Sequence, residues 1–199
     1  MNFKCPILVC VWLAAVGLAG CAGLPGKVAD TPVAQSRQGL YQVSAWKLEG
    51  RIGAKMGGEG WNANLFWEHD GGQDRLRISG PFSQGAVSII VQRDLVYVNE
   101  GNGVVTLARE PDDWLKKRLG FAVPLRSLRY WVLGLPAPGI DYKSVLDAAG
   151  GLAGFEQQGW ALAFQGFAKE GDFMLPQKMT IRGYDVALKL IADEWVLTK

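Results

Sequence analysis

Cysteine is scarce in this chain of 199 residues, with only Cys5, Cys10 and Cys21, all near the N-terminus. From residue 22 onward there is no thiol. That excludes a disulfide-stapled scaffold, a thiolate nucleophile and a cysteine-based metal site. Histidine is rarer still: His69 stands alone, beside Asp70 and two glycines. A His-Asp pair can orient a general base, but it needs a nucleophile and an oxyanion site, and the chain has no Gly-x-Ser-x-Gly elbow. One histidine without a thiolate cannot build an ordinary zinc site, so His69 reads as a hairpin-rim residue. No glycine-rich loop runs into Lys-Ser or Lys-Thr, which excludes a P-loop, and Gly101-Asn102-Gly103 reads as a hairpin turn. An excess of either charge is lacking too, with 21 basic and 19 acidic residues. The one basic run, Lys116-Lys117-Arg118, closes a predicted helix, where cations favour the negative end of the dipole. No dense basic stripe remains to bind nucleic acid. The acids left for catalysis are Asp112, Asp113 and Glu194, and the first two read as helix-start charges. No enzyme activity and no cofactor are expected, so whatever the protein does it does passively.

A long hydrophobic run is missing as well. The apolar stretch from Cys5 to about Gly17 follows Lys4 and is interrupted by Pro6, and it is shorter than the roughly 20 residues that cross a bilayer as a helix. Closed by small residues, it reads as a cleaved signal covering residues 1–20. Its last residues with the one that follows, Leu18-Ala19-Gly20-Cys21, resemble a bacterial lipobox. That resemblance implies a diacylglycerol on the Cys21 thiol, cleavage before Cys21 and acylation of the new amine. Cleavage removes Lys4 and no acid from the totals of 21 and 19, leaving a net charge near +1. Ala22 stands where an aspartate retains Gram-negative lipoproteins at the inner membrane, so sorting to the outer membrane is implied, with the domain on the periplasmic face. Residues 21–31 are small and glycine- and proline-punctuated, a flexible tether. Residues 32–199 form one domain.

Thr31-Pro32 reads as a helix start, running to about Val43. Strands dominate thereafter. Trp46, Leu48, Gly50, Ile52 and Ala54 alternate with polar residues or glycine; Trp61, Ala63, Leu65 and Trp67 alternate with Asn62, Asn64, Phe66 and Glu68, and Leu76 and Ile78 with Arg75, Arg77 and Ser79. A period of two buries one face of an antiparallel sheet. Gly57-Gly58 and Gly71-Gly72 mark hairpin turns. Further strands are predicted at Ala86–Arg93, Leu95–Asn99, Val104–Ala108, Trp160–Phe164, Lys178–Ile181 and Val186–Ile191, with Trp195 closing a final short one. Two helices interrupt them: Pro111 to Leu119, marked by proline, two aspartates and Gly120, and Pro124 to Leu133, stopped by Gly134 and Pro136. Ala137 to Gly154 reads as irregular, with a marginal helix around Ser144–Ala149. Parallel crossovers are missing, so a doubly wound fold is excluded. The expected fold is mainly β, an incomplete, half-open antiparallel barrel with a helical lid or plug.

Gly80-Pro81-Phe82-Ser83-Gln84-Gly85 joins two strands and puts a phenylalanine at a hairpin tip, where polar residues are usual. Phe82 either folds back onto the core or forms an apolar finger that touches a membrane or lipid; local pattern leaves both open.

Several stretches, in order, are similar to the LolB family of outer-membrane lipoprotein receptors. They are Trp46-x-Leu48-x-Gly50-Arg51-Ile52, Trp61, Trp67, Arg75-Leu76-Arg77-Ile78-Ser79-Gly80-Pro81-Phe82, and Pro124-Leu125-x-x-Leu128-x-x-Trp131-Val132-Leu133-Gly134-Leu135-Pro136. Asp141-Tyr142, Gly159-Trp160, Pro176 and Leu188-Lys189-Leu190 up to Trp195 complete them. The resemblance implies an apolar cavity beneath a helical lid, the periplasmic carrier LolA as donor, and acyl chains of client lipoproteins as cargo. It also implies an insertion loop at Pro81, Phe82 and Ser83, where the family carries an apolar residue, typically leucine, at the tip. Family position and inward phase together name Trp46, Leu48, Leu65, Trp67, Ile89, Leu128, Trp131, Leu135 and Leu188 as cavity-lining residues. The same residues would equally suit a solid core. A monomer that binds no nucleic acid is expected, with a lipid-binding or structural lipoprotein of the same fold as the alternative.

Overall fold

The computed structural model of the chain describes residues 37–80, 85–101 and 103–198. Thirteen strands and two helices are formed among the described residues. β1 (Ala45–Met56), β2 (Glu59–Asp70), β3 (Gln73–Ser79), β4 (Val87–Gln92), β5 (Leu95–Asn99) and β6 (Val105–Arg109) follow one another as hairpins. Helices α1 (Pro111–Leu119) and α2 (Leu125–Trp131) come next. β7 (Tyr142–Leu146), β8 (Leu152–Gln157), β9 (Trp160–Phe164), β10 (Phe167–Glu170), β11 (Phe173–Pro176), β12 (Lys178–Gly183) and β13 (Val186–Thr198) complete the chain.

Eleven strands form one sheet in the order β6-β5-β4-β3-β2-β1-β13-β12-β9-β8-β7, and β10 with β11 makes a separate pair. The edges β6 and β7 do not pair, so the barrel is open, as expected. Alternation sets which face is inside. One inward row runs across five strands, Leu48–Trp67–Leu76–Ile89–Val98, each directly opposite the next and all buried. The neighbouring row on the outer wall is charged: Lys47 Nζ lies 3.2 Å from Glu68, which also meets Arg75 at 3.6 Å. Such half-exposed pairs contribute little to stability and mainly keep this wall wet.

The long central strands need a break in register to curl. Between Glu49 and Gly50 the pairing of β1 with β13 shifts, Glu49 facing Glu194 and Gly50 facing Ala192, so Asp193 is the extra residue of a bulge. A Cβ on Gly50 would stand 2.1 Å from the Ile191 carbonyl oxygen, and only glycine permits that approach. The same bulge explains why Trp195 looks like a separate short strand in sequence. It belongs to the 13-residue β13, whose alternation skips at the exposed Asp193 and Glu194 before Trp195 turns inward.

Two other expectations are corrected. Residues 142–157 are a hairpin, not an irregular loop with a marginal helix. Every residue of β7 is exposed, so no period of two marks it, and alanines after Asp147 mimic a helix. Asp147 Oδ1 instead accepts the amides of Ala149 and Gly151, closing the turn. The four-residue strands β10 and β11 are too short to show a period and go unmarked in sequence. The expected helix from Thr31 to Val43 lies partly outside the described residues; within them a 3-10 turn, Gly39–Gln42, precedes β1.

Candidate functional site

α1 and α2 cross the inner face of the sheet and leave a cavity of about 270 Å³ beneath them. The sheet contributes Ile52 from β1, Trp61, Leu65 and Trp67 from β2, Leu76 and Ile78 from β3, Val87 and Ile89 from β4, Ile181 from β12, and Leu188 and Leu190 from β13. The helices and their connection supply Trp114, Leu115, Phe121, Val123, Leu125, Leu128 and Val132. Lys189 is the one charged residue of the lining, an exposed position between two inward leucines. Such a wall offers nothing to a polar ligand and suits a hydrocarbon chain.

Polar groups around the cavity mostly pair within the protein, the buried Arg129 Nε being an exception. The Trp67 indole donates to Asp74 Oδ1 at 3.0 Å, and His69 Nδ1 lies 2.9 Å from the same oxygen. Arg129 of α2 approaches the other carboxylate oxygen at 3.8 Å, tying the helix to β3. His69 therefore engages the buried Asp74 across the hairpin, not the adjacent Asp70. Gln157 Oε1 accepts the Trp131 indole at 2.7 Å and the Ala137 amide at 2.8 Å, fixing the end of α2 to β8. At its other end Arg126 pairs with Asp94 of the β4–β5 turn. Asp112 near the start of α1 accepts the Leu125 amide at 3.0 Å, stapling the two helices. Burial raises the Asp112 carboxyl above its usual range and Asp113 adds to the shift, while the Leu125 amide opposes it.

Of the nine residues named from sequence, Leu65, Trp67, Ile89, Leu128 and Leu188 line this cavity. Trp46, Leu48, Trp131 and Leu135 are buried outside it. Trp46 packs its ring 5.3 Å from Trp67 and 5.7 Å from Trp195 and lines a separate, smaller pocket with His69 and Arg129, and Trp131 lies 6.4 Å from Trp160. Cys21, Pro81, Phe82 and Ser83 lie outside the described residues. Ile52, Trp61 and Ile78 of the lining were already in the inward phase of their strands. Trp114 and Leu115 went unmarked, though they are an adjacent apolar pair in an otherwise charged helix. A larger groove, about 710 Å³, runs along the outer wall past Glu49, Arg75, Arg77 and Asp193. That groove is open to solvent, and its lining mixes five charged residues with apolar ones such as Phe66 and Ile90.

Comparison with known proteins adds to this geometry. The family described as outer membrane lipoprotein LolB matches residues 44–195. The chain belongs to the LolB family. Outer-membrane lipoprotein LolB of Pseudomonas aeruginosa strain PAO1 is 30% identical over 194 residues, covering 93% of this chain and 95% of the relative. That of Nitrosococcus oceani is 32% identical over 192 residues, covering 94% and 96%. Among solved structures, a LolA superfamily protein, NE2245 from Nitrosomonas europaea, superposes with a TM-score of 0.53 at 10% identity, over 84% of this chain and 94% of that one. At that identity the likeness is one of fold: the open barrel of this LolB-family chain is shared with the LolA superfamily.

Proposed function

We propose that this LolB-family protein is an outer-membrane receptor that accepts lipoproteins from the carrier LolA and passes them into the membrane. The observation that carries this reading is the apolar cavity under α1 and α2. Each acyl CH₂ left bare in water costs about 0.8 kcal/mol, so a multi-chain anchor would cost tens of kcal/mol to move unprotected. A cavity of about 270 Å³ lies near the lower end of small-ligand pockets, roughly 300–1,000 Å³. It takes part of one chain as it stands, and fuller loading needs α1 and α2 to shift outward from the sheet.

Handover runs downhill without nucleotide, each tenfold gain in affinity along the route being about 1.4 kcal/mol. The protein is a passive monomeric receptor, not an enzyme. Residues 1–20 are its signal, Cys21 carries its own anchor, residues 21–31 tether it, and residues 32–199 hold the cargo. Phe82, between Pro81 and Ser83 in the sequence that joins β3 to β4, is the apolar residue that promotes insertion.

The test is transfer of a lipoprotein from loaded LolA, scored with a Cys21→Ala chain as acceptor and with the lipidated chain in vesicles as inserter. The Cys21→Ala chain should strip the carrier. A Phe82→Glu chain should still accept cargo but deliver it to vesicles at least tenfold more slowly. Failure to accept would move the reading to a structural lipoprotein of the same fold, and unchanged delivery by Phe82→Glu would remove the role given to that tip.

A further inference from the structure

The open barrel leaves two strand edges, β6 and β7, and they differ in how they are protected. A bare edge recruits other chains through its N–H and C=O groups, and proteins usually blunt it with a lysine, a proline or a bulge. β7 carries Lys143. β6, Val105-Thr106-Leu107-Ala108-Arg109, has no proline, no break in register and no charge before its last residue. Val105 and Leu107 are exposed at 58% and 59% of their full surface. Bonding alternates along an antiparallel pair. Because the Glu110 amide donates to the Asp94 carbonyl, Ala108 and Thr106 direct their main-chain groups at β5, and Val105, Leu107 and Arg109 turn theirs outward. Among the described residues those outward groups have no partner.

The outer face beside this edge is apolar as well. One outward row reads Lys47, Glu68 and Arg75 on β1 to β3, then Ile90, Tyr97 and Leu107 on β4 to β6, each opposite the next. Contact with water gives no reason for that change over the last three strands. A strand added beyond β6 does, since its alternate side chains would lie against Leu107 and Val105. The edge is also near the cavity. Val87 is part of the cavity wall, its neighbour Ser88 faces Asn99, and Asn99 faces Val105. That is two strand spacings, about 10 Å. A Cβ on Gly101 would meet the Ala86 carbonyl oxygen at 3.2 Å, so the β5–β6 turn packs against the residue before Val87. On the other side β9 and β8 separate β7 from Ile181, and neither contributes to the wall.

We infer that β6 is a docking edge for the extended polypeptide that follows the acylated residue of a client lipoprotein. The client's chains lie under α1 and α2, and a stretch of its polypeptide pairs with Val105–Arg109 as an added strand. A second copy of this chain is the poorer occupant, because pairing two five-residue edges falls well short of the roughly 1,200 Å² of a stable interface. A client segment needs no such area. Once its lipid is in the cavity, pairing at the edge is intramolecular, and even weak main-chain bonds add to the affinity. At roughly 3.3 Å per residue, about three or four residues beyond the acylated one cover the distance from wall to edge. Main-chain pairing reads little sequence, so the segment needs only to be extended and to set an apolar residue beside Leu107. The inference rests on the receptor reading for the identity of the client and adds where its polypeptide runs.

The test uses the Cys21→Ala chain and two probes: a triacylated cysteine alone, and the same lipid carrying a ten-residue peptide with valine at alternate positions. The peptide-bearing probe should bind at least fivefold more tightly. Its binding should slow amide exchange at Val105, Leu107 and Arg109 at least tenfold and leave β7 unchanged. N-methylating every peptide amide should abolish both effects and return the affinity to that of the lipid alone. Leu107→Pro removes an outward N–H but no ladder bond, and it should remove the fivefold gain as well. Equal binding of the two probes, unchanged exchange on β6, or a gain that survives N-methylation overturns the inference. So does slowed exchange on β6 with LolA free of cargo, which would assign the edge to the carrier. The lipid-only probe separates the two readings: normal binding without a peptide gain defeats the edge and spares the receptor. If neither lipid binds, the receptor reading falls, and the free peptide at millimolar concentration decides the edge: slowed exchange on β6 spares it, unchanged exchange defeats it.

Discussion

Filling the cavity should stabilise the protein and disable it, two effects of opposite sign from one change. Val87 is the substitution site of choice, half-buried on the inward row with Ile78 and Leu65 and part of the cavity wall. Phenylalanine there would take up about a fifth of the 270 Å³, and at about 24 cal/mol per Å³ of cavity removed this is worth ~1.3 kcal/mol. For a domain of this size that raises Tm by roughly 3–5 °C. Acceptance of lipoprotein from loaded LolA should meanwhile fall at least tenfold, because the acyl chain loses the space it needs. Differential scanning calorimetry and the transfer assay on one preparation read both quantities. Overpacking a full core would instead cost about 1–3 kcal/mol, so a lower Tm would refute the claim that this space is empty. A raised Tm with undiminished acceptance would refute the claim that cargo occupies it.

Gly50→Ala tests the bulge: a Cβ 2.1 Å from the Ile191 carbonyl forces β1 and β13 apart, and urea unfolding should show a loss of about 3 kcal/mol or more. Asp112→Asn tests the staple between the helices. The native carboxyl holds its proton more tightly than the unfolded chain does, so its contribution is fully present below the unfolded pKa. That contribution is lost as pH rises through the raised native value. Asparagine keeps an acceptor for the Leu125 amide and has no charge to desolvate. Urea midpoints between pH 4 and 7 should therefore flatten in the variant, and Asp112→Ala should flatten them too while lying about 1 kcal/mol below Asp112→Asn at every pH; an undiminished pH slope in Asp112→Asn would remove Asp112 as its source.

The half-open barrel was legible because most of its strands are wet on one face. Trp46, Leu48, Leu65, Trp67, Leu76 and Ile89 all sit in phase with their partners, and local alternation is enough to say that they point inward. What alternation cannot say is whether an inward residue meets a void or a neighbour. Leu48 and Trp67 face each other in one row, yet Trp67 lines the cavity and Leu48 does not. The difference arises from where α1 and α2 lie over the sheet, a long-range matter fixed by contacts such as Arg126 with Asp94 and Trp131 with Gln157. Asp74 was hidden for a related reason. A carboxylate within a strand looks solvated, and only the fold brings Trp67, His69 and Arg129 around it. The β7–β8 hairpin escaped because β7 buries nothing, and a strand exposed on both faces carries no pattern to read.

The most direct measurement places a photo-crosslinker at one position inside the cavity and one on the outer wall. Ile89 and Tyr97 suit this, on adjacent strands but opposite faces of the sheet. With a lipoprotein in transit from LolA, a crosslinker at 89 should capture the acylated end of the cargo and one at 97 should not. Equal capture at both positions, or capture at 97 alone, would contradict a route through the cavity.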